Sequence, residues 1–216
     1  MARSNMYALL VMAVACLMPC VLEAVEPFED DAIYHEYPDI VEYLNGLSSK
    51  NPSVAFIKTL PPKTVGGGNG IPQDIYALKI SSNVQPSDDP SKPDVLILAG
   101  LHAREWLAVE AARMTAKYLV WSYTSCGGPP EERAPDCEQV RFLLDHTEVW
   151  IVPVGNPDGN IWSHSDQEIA ERRMWRKNRW KDTVGTVYGV DINRNFDEPN
   201  WGGTGNAEGW GRWGRN

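Results

Sequence analysis

A histidine and a glutamate three residues apart, His102 and Glu105, follow an apolar stretch that ends at Gly100. This stretch, residues 95–99, predicts a buried strand, and the carboxyl ends of such strands present the polar chemistry of an α/β sheet. On the first turn of a following helix, the two side chains would share a face and could bind one ion. Imidazole nitrogen and carboxylate oxygen suit zinc, which in catalytic sites takes three protein ligands and keeps one open position. The pair therefore predicts two metal ligands, although this spacing is also common in solvated surface pairs.

A second polar group lies in the segment Asp191-Ile192-Asn193-Arg194. A guanidinium can pair with both oxygens of a carboxylate, and a neighbouring amide adds a further donor. Taken alone, this segment is typical of a turn. Considered together with His102 and Glu105, it predicts a site in which a metal ion lies beside a receptor for a carboxylate group.

Strands and helices must hold these two groups in place, and the hydrophobic pattern predicts both. Strands are expected at residues 54–60, 74–80, 95–99 and 147–154, with one more at 190–192. Helices are expected at residues 38–47, with Asp39 as N-cap, and at 105–123 and 140–144. Because strands and helices alternate, we predict an α/β fold with a mixed parallel/antiparallel sheet flanked by helices in an α/β/α arrangement.

The composition limits the classes of partner. The chain has 216 residues, 43% of them hydrophobic, which suits one substantial globular domain. Its formal net charge is −9, and no dense basic tract offsets it, so we expect no nucleic-acid partner. The basic residues are concentrated in the segment 172–181, which is typical of a solvated helix end.

The amino terminus is typical of a secretory signal. Arg3 precedes an apolar stretch at 8–22 that is too short for a comfortable membrane span, and Ala24 suits cleavage. We therefore predict a signal peptide at 1–24 and a secreted protein with no membrane association after cleavage; an uncleaved anchor is the alternative. Cys126 and Cys137 remain outside the signal, and in an oxidising compartment we expect them to form a local disulfide.

Four motifs, taken together, resemble the zinc metallocarboxypeptidases of the pancreatic carboxypeptidase A and B type. They are H-A-R-E-W at 102–106, N-P-D-G at 156–159, M-W-R-K-N-R at 174–179 and D-I-N-R-N-F-D at 191–197. The resemblance covers residues 34–203, the amino-terminal half to two-thirds of that catalytic domain. It implies an incomplete carboxypeptidase-like fold, with a partial catalytic domain at 25–203 and an irregular Gly/Trp-rich tail at 204–216.

The resemblance also implies how the metal is held. His102 and Glu105 would bind one Zn²⁺ ion. Asp191 would accept a hydrogen bond from the second ring nitrogen of His102 and so fix the tautomer of the imidazole. The metal would polarise the scissile carbonyl and activate water.

Four further residues would contact the substrate if the resemblance holds. Arg104 would line the cleft, and Arg176 would stabilise the oxyanion formed on the attacked carbonyl. Asn193 and Arg194 would hold the free C-terminal carboxylate of a peptide or protein. The implied activity is therefore that of an exopeptidase, acting as a monomer.

The sequence departs from the family pattern after Arg194. The family's third zinc ligand, a histidine, and its general-base glutamate have no counterpart there, and neither do the residues of the specificity pocket. His146, before a predicted strand, and His164, in a predicted loop, are poor substitutes for the ligand. The leading hypothesis is a secreted zinc carboxypeptidase whose sequence is cut short. The alternatives are a non-catalytic relative that binds peptide C-termini and a deacylase of N-acylated amino acids.

Overall fold

The computed structural model describes residues 34–67, 69–181 and 189–196, in which strands and helices alternate. The strands are β1 (Ala55–Leu60), β2 (Ile75–Ile80), β3 (Asp94–Leu98) and β4 (Glu148–Val152). The helices are α1 (Tyr37–Lys50), α2 (Trp106–Ser125), α3 (Cys137–His146), α4 (Pro157–His164) and α5 (Ala170–Arg173). Short 3₁₀ turns occur at Pro130–Glu132 and Ile192–Arg194. The predicted signal at 1–24 and the predicted tail at 204–216 lie outside the described residues.

The four strands form one mixed sheet in the order β1-β2-β4-β3. β1 pairs antiparallel with β2, and β2 pairs antiparallel with β4. β3 and β4 are parallel, with Leu96 opposite Trp150, and α2 and α3 lie in the crossover that a parallel connection requires. The predicted α/β fold with a mixed sheet flanked by helices is therefore confirmed.

The main core lies between one face of the sheet and the helices. Side chains alternate between the two faces of a strand, so Leu78, Ile80, Val149 and Ile151 all point to the same side. They pack there with residues of α1, α2 and α3, which include Ile40, Leu44, Ala112, Ala116, Val140 and Leu144. On the other face, Leu96 is 62% exposed. No helix among the described residues is long and apolar enough to cross a membrane.

Two predictions of local structure are wrong. Asp39 does not cap α1, because the helix begins one turn earlier, with Glu36 at the N-cap; Asp39 instead accepts a hydrogen bond from the Glu36 N–H at 3.1 Å and completes a capping box. The strand predicted at 190–192 is absent, and the 3₁₀ turn Ile192–Arg194 follows Asp191 instead. Two β-branched residues, Val190 and Ile192, on either side of Asp191 are too few to decide between these structures.

The predicted disulfide between Cys126 and Cys137 is present. It joins the end of α2 to the start of α3 across 11 residues of chain. Both cysteines are buried and pack with Ala134 and Trp121 in a second, small apolar cluster. The bridge therefore secures the loop between the two helices that cross over the sheet.

Candidate active site

The residues 102–105 form a tight turn between β3 and α2. β3 is held to β4 up to the turn, because the Ala99 N–H donates to Val152 O and the Gly155 N–H donates to Ala99 O. Gly100 then takes a φ of +60°, where a Cβ would lie 2.7 Å from the oxygen of Pro153, so glycine is needed at this position. The turn places the side chains of residues 102–105 at the carboxyl end of the parallel strand pair.

The prediction that His102 and Glu105 lie on the first helical turn is wrong. α2 begins at Trp106, and Glu105 occupies its N-cap position with a φ of −91° and a ψ of 62°. The Glu105 N–H donates to the His102 carbonyl at 3.1 Å, which closes the turn ahead of the helix. The tighter turn brings the two side chains together as a helix would, with His102 Nδ1 lying 2.8 Å from Glu105 Oε1.

Four side chains meet at this turn in a closed arrangement, the site ring. His102 Nε2 lies 3.2 Å from Asp191 Oδ1, and Arg176 Nε donates to Asp191 Oδ2 at 2.8 Å. Arg176 Nη1 lies 3.5 Å from Glu105 Oε1 and completes the ring. His102 is buried, while the Glu105 side chain is 47% exposed, so the ring opens to solvent on the Glu105 side.

Each ring nitrogen of His102 faces a carboxylate oxygen, Nε2 that of Asp191 and Nδ1 that of Glu105. In the tautomer with the proton on Nε2, directed at Asp191, Nδ1 carries a lone pair. That lone pair faces Glu105 Oε1, a second acceptor, at 2.8 Å. A proton or a cation between the two atoms accounts for this distance, and an imidazole nitrogen beside a carboxylate oxygen is a donor set that fits two ligands of a zinc ion.

The ionisation of Asp191 is adapted to this role. Burial raises the pKa of its carboxyl, but the hydrogen bond and charge of Arg176, with the contribution of His102, outweigh burial and hold the pKa below its usual value. Asp191 therefore remains charged to a lower pH than an unperturbed aspartate, as the partner of both His102 and Arg176.

Arg176 is held at the ring by its backbone as well as by its side chain. The Ala103 N–H donates to the Arg176 carbonyl at 3.0 Å, which pairs the turn 102–105 directly with the segment that follows α5. Arg104 lies on the same side, where its Nη1 donates to Met174 O at 3.4 Å. The structure thus brings His102, Glu105, Arg176 and Asp191 together, with Arg104 alongside them.

Asn193 and Arg194 lie in the 3₁₀ turn that directly follows Asp191. Arg194 Nη1 donates to the backbone oxygen of Asn193 at 3.0 Å, and Arg194 makes a further contact beyond this one. In the described part of the chain, no hydrogen bond links either residue to His102 or Glu105. Their predicted role as a carboxylate receptor remains a prediction.

Two other histidines do not join the site ring. The prediction that His164 lies in a loop is wrong, because it is the last residue of α4, buried and stacked on Trp106 with 4.1 Å between ring centroids. Burial lowers the pKa of its imidazole. His146 ends α3, where its Nδ1 lies 2.7 Å from Phe142 O. Within the described ranges, neither ring forms a hydrogen bond or ion pair with His102 or Glu105.

Ligand-type residues cluster at one other place, Cys126, Cys137 and Glu138. The two sulfur atoms are bonded to each other, so this group is a disulfide beside an exposed glutamate and not a metal site. Among residues 34–67, 69–181 and 189–196, no third histidine, cysteine or carboxylate completes a metal-binding group with His102 and Glu105.

Sequence reasoning missed the role of Arg179. The segment 172–181 was expected to be a solvated helix end, but α5 ends at Arg173 and Arg179 is only 8% exposed. Its guanidinium lies 3.8 Å from the ring centroid of Trp162 and 4.6 Å from that of Trp175, and Nε donates to Gly67 O. Burial lowers the pKa of Arg179. Tryptophans near an arginine in the sequence were the available signal.

Comparisons with known proteins agree with this geometry. The zinc carboxypeptidase family profile matches residues 40–210. Carboxypeptidase A2 of Mus musculus is 32% identical over 172 residues, covering 80% of this chain and 34% of the relative. An inactive metallocarboxypeptidase of Saccharomyces cerevisiae is 31% identical over 179 residues, covering 81% and 36%. The crystal structure of carboxypeptidase A from Helicoverpa armigera superposes with a TM-score of 0.58 at 28% identity, covering 89% of this chain and 40% of that one. The chain spans about a third of the length of its curated relatives.

Proposed function

The chain belongs to the zinc carboxypeptidase family, and on that premise we propose that it carries part of a zinc-dependent exopeptidase site that removes C-terminal residues from peptides or proteins. The observation that carries the proposal is the juxtaposition of His102 Nδ1 and Glu105 Oε1, a nitrogen and an oxygen of zinc-ligand type that lie 2.8 Å apart. In the proposed site these two atoms hold one Zn²⁺ ion, and when bound the metal supplies Lewis-acid polarisation of the scissile carbonyl.

The protein's own groups have separate roles in this proposal. Asp191 keeps the proton of His102 on Nε2, so that Nδ1 is available as a ligand. Arg176 lies on the open side of the ring, with its side chain 28% exposed and Nη1 near Glu105. From there its guanidinium can donate to the carbonyl oxygen as negative charge develops on it. Arg104 would line the cleft beside it.

The substrate end of the site is proposed at Asn193 and Arg194. A free C-terminal carboxylate would accept hydrogen bonds from the guanidinium and the amide, a pairing that depends on the terminus being unblocked. This selectivity is what would make the enzyme an exopeptidase. We further propose that the protein is secreted, which the buried Cys126–Cys137 disulfide supports because such bonds persist in oxidising compartments.

A second candidate function is binding of peptide C-termini without hydrolysis. One observation favours it: a relative with 31% identity is an inactive metallocarboxypeptidase. In that case Asn193 and Arg194 would still recognise a carboxylate, while the metal and water chemistry would be lost.

Zinc titration of the full chain, followed by assay on a peptide with a free C-terminus, tests both candidates. We expect one equivalent of zinc to bind and the affinity to fall sharply in His102→Gln and in Glu105→Gln. Glu168→Gln is the matched control, since Glu168 is an exposed carboxylate away from the ring. Zinc-dependent release of the terminal residue supports the exopeptidase. Peptide binding that requires Arg194 but is not followed by release of the terminal residue supports the non-hydrolysing binding protein. If neither His102→Gln nor Glu105→Gln changes the zinc affinity, the proposed metal site is wrong.

A further inference from the structure

Helix α4 hydrogen bonds to the backbone on both sides of His102. Asn156, at its N-cap, donates from Nδ2 to the Leu101 carbonyl at 3.1 Å. Ser163, near its other end, donates from Oγ to the Ala103 carbonyl at 2.8 Å. Both side chains are buried, at 2% and 0% exposure. The peptide units before and after the histidine are therefore fixed from the same helix, which sequence analysis did not predict.

The Asn156 side chain also reaches the segment that carries Arg176. Its Nδ2 donates a second hydrogen bond, to Lys177 O at 3.1 Å, while its Oδ1 accepts from the Gly159 N–H at 3.0 Å. The Asn156 amide therefore donates both of its hydrogens, one to the carbonyl of the residue before His102 and one to the carbonyl of the residue after Arg176. This single side chain therefore spans the two segments, which the Ala103 N–H bond to Arg176 O also joins.

The glycine at position 159 makes this arrangement possible. A Cβ there would overlap the Asn156 amide and would lie 2.7 Å from Lys177 O. Any larger residue would push the helix away from both segments. The N-P-D-G motif therefore combines the bridging amide of Asn156 with the space that the amide needs, which gives a physical role to a motif that contributes no atom to the site ring.

We propose that Asn156 is a positioning residue that holds His102 and Arg176 at a fixed separation by bonding the backbone next to each. The expected effect on zinc binding rests on the proposed function. The coupling between the turn 102–105 and the segment at Arg176 does not, because it requires no metal. Loss of the two N–H donors would leave the Leu101 and Lys177 carbonyls without the bonds described here, which is costly in a buried setting. The turn 102–105 and the segment at Arg176 could then move independently.

Two variants of the full chain separate this role from general stability. Asn156→Asp keeps the size and the acceptor for the Gly159 N–H but removes both donors, and Asn156→Ala removes all three bonds. Ser81→Ala is the matched control, because Ser81 is equally buried and its hydroxyl lies within hydrogen-bonding distance of the Thr147 and Leu144 carbonyls, away from the site. The free energy of unfolding of each variant is measured first, so that local effects can be compared at known global stability.

The first readout is hydrogen exchange of the Ala103 amide in the metal-free chain, since that amide donates to Arg176 O. We expect its exchange to accelerate about tenfold or more in both Asn156 variants beyond what the global stability change predicts. The second readout is zinc affinity, which we expect to weaken by about ten- to a hundred-fold, as for other outer partners of metal ligands.

The two readouts also distinguish this inference from the proposed function. If wild-type protein bound no zinc, the proposed function would fail, while Ala103 exchange would still report on the coupling. If Ala103 exchange in the Asn156 variants changed no more than in Ser81→Ala at equal stability, the coupling would be refuted. Weakened zinc binding in Ser81→Ala of the same size as in Asn156→Asp would likewise overturn it.

Discussion

His102 Nε2 lies 3.2 Å from Asp191 Oδ1, although 89 residues separate them in the sequence. This contact brings the turn after β3 and the 3₁₀ turn near the end of the described chain to one point. The same carboxylate accepts from Arg176 Nε through its other oxygen at 2.8 Å. Asp191 is therefore the residue through which the proposed ligand and the proposed oxyanion donor are oriented together.

Replacing Asp191 by asparagine should weaken zinc binding by about ten- to a hundred-fold. The amide keeps the shape of the carboxylate but loses the charge that stabilises the Nε2–H tautomer of His102 and the pairing with Arg176. Isothermal titration at neutral pH measures the effect. Asp145→Asn, which changes an exposed carboxylate on α3, should leave the affinity unchanged. Equal affinities for wild type and Asp191→Asn would contradict the orienting role.

The contribution of Asp191 to stability should depend on pH. Its pKa is lower in the folded chain than its usual value, so its charge stabilises the fold at pH values above the unfolded-state pKa, which is about 4. The contribution is lost as the pH falls through the folded-state pKa. The difference in Tm between wild type and Asp191→Asn should be constant from neutral pH to about pH 5 and should shrink in stronger acid. A difference that grew on acidification would have the wrong sign.

Leu96 should promote association of the chain. It is 62% exposed on β3, and within the described sheet no strand pairs with the outer edge of β3. Leu96→Lys places a charge on that edge and should raise the concentration at which aggregation begins, with stability changed by less than about 0.5 kcal/mol. Light scattering and thermal unfolding measure the two quantities.

Val95→Lys provides the matched comparison for the Leu96 variant. Val95 lies next to Leu96 on the same strand but packs against the main core from the opposite face. A lysine there would bury an unpaired charge and should lower Tm strongly. If Leu96→Lys aggregated as readily as wild type, the exposed strand edge would not be the source of association.

Arg179→Lys should destabilise the chain by about 1–2 kcal/mol, although the charge is kept. The guanidinium lies over the rings of both Trp162 and Trp175, and an ammonium group cannot reproduce both contacts. Chemical denaturation measures the loss. Arg133→Lys is a control, because that arginine is exposed and donates to Gly128 O within its own loop. Equal stability of the two variants would show that stacking contributes nothing measurable.

Removal of the Cys126–Cys137 disulfide should cost about 3 kcal/mol, the loop-closure entropy for a loop of this size. The double variant Cys126→Ser/Cys137→Ser should therefore unfold at lower temperature than wild type under oxidising conditions. Under reducing conditions the two proteins should differ much less, because wild type then lacks the bond as well. An equal Tm under oxidising conditions would show that the bridge does not constrain the unfolded chain.

Local features were predictable from the sequence because their causes are local. Alternation and helical spacing placed β1, β2, β3, β4 and the three longer helices within a few residues of their bounds. The spacing of His102 and Glu105 indicated a shared ligand position even though both residues lie in the turn before the helix, which begins at Trp106. The two remaining cysteines allowed one pairing, and that pairing is present.

Other features depended on contacts between distant segments, which no local pattern encodes. The sequence by itself determined the fold class, the disulfide and the residue types that could hold a metal, since these follow from periodicity, counting and spacing. Only the tertiary structure decided that Arg179 is buried between two tryptophans and that Asn156 bridges the segments of His102 and Arg176. These contacts exist because the parallel pairing of β3 with β4 brings both strand ends to one edge, where α4 begins within hydrogen-bonding reach of each segment.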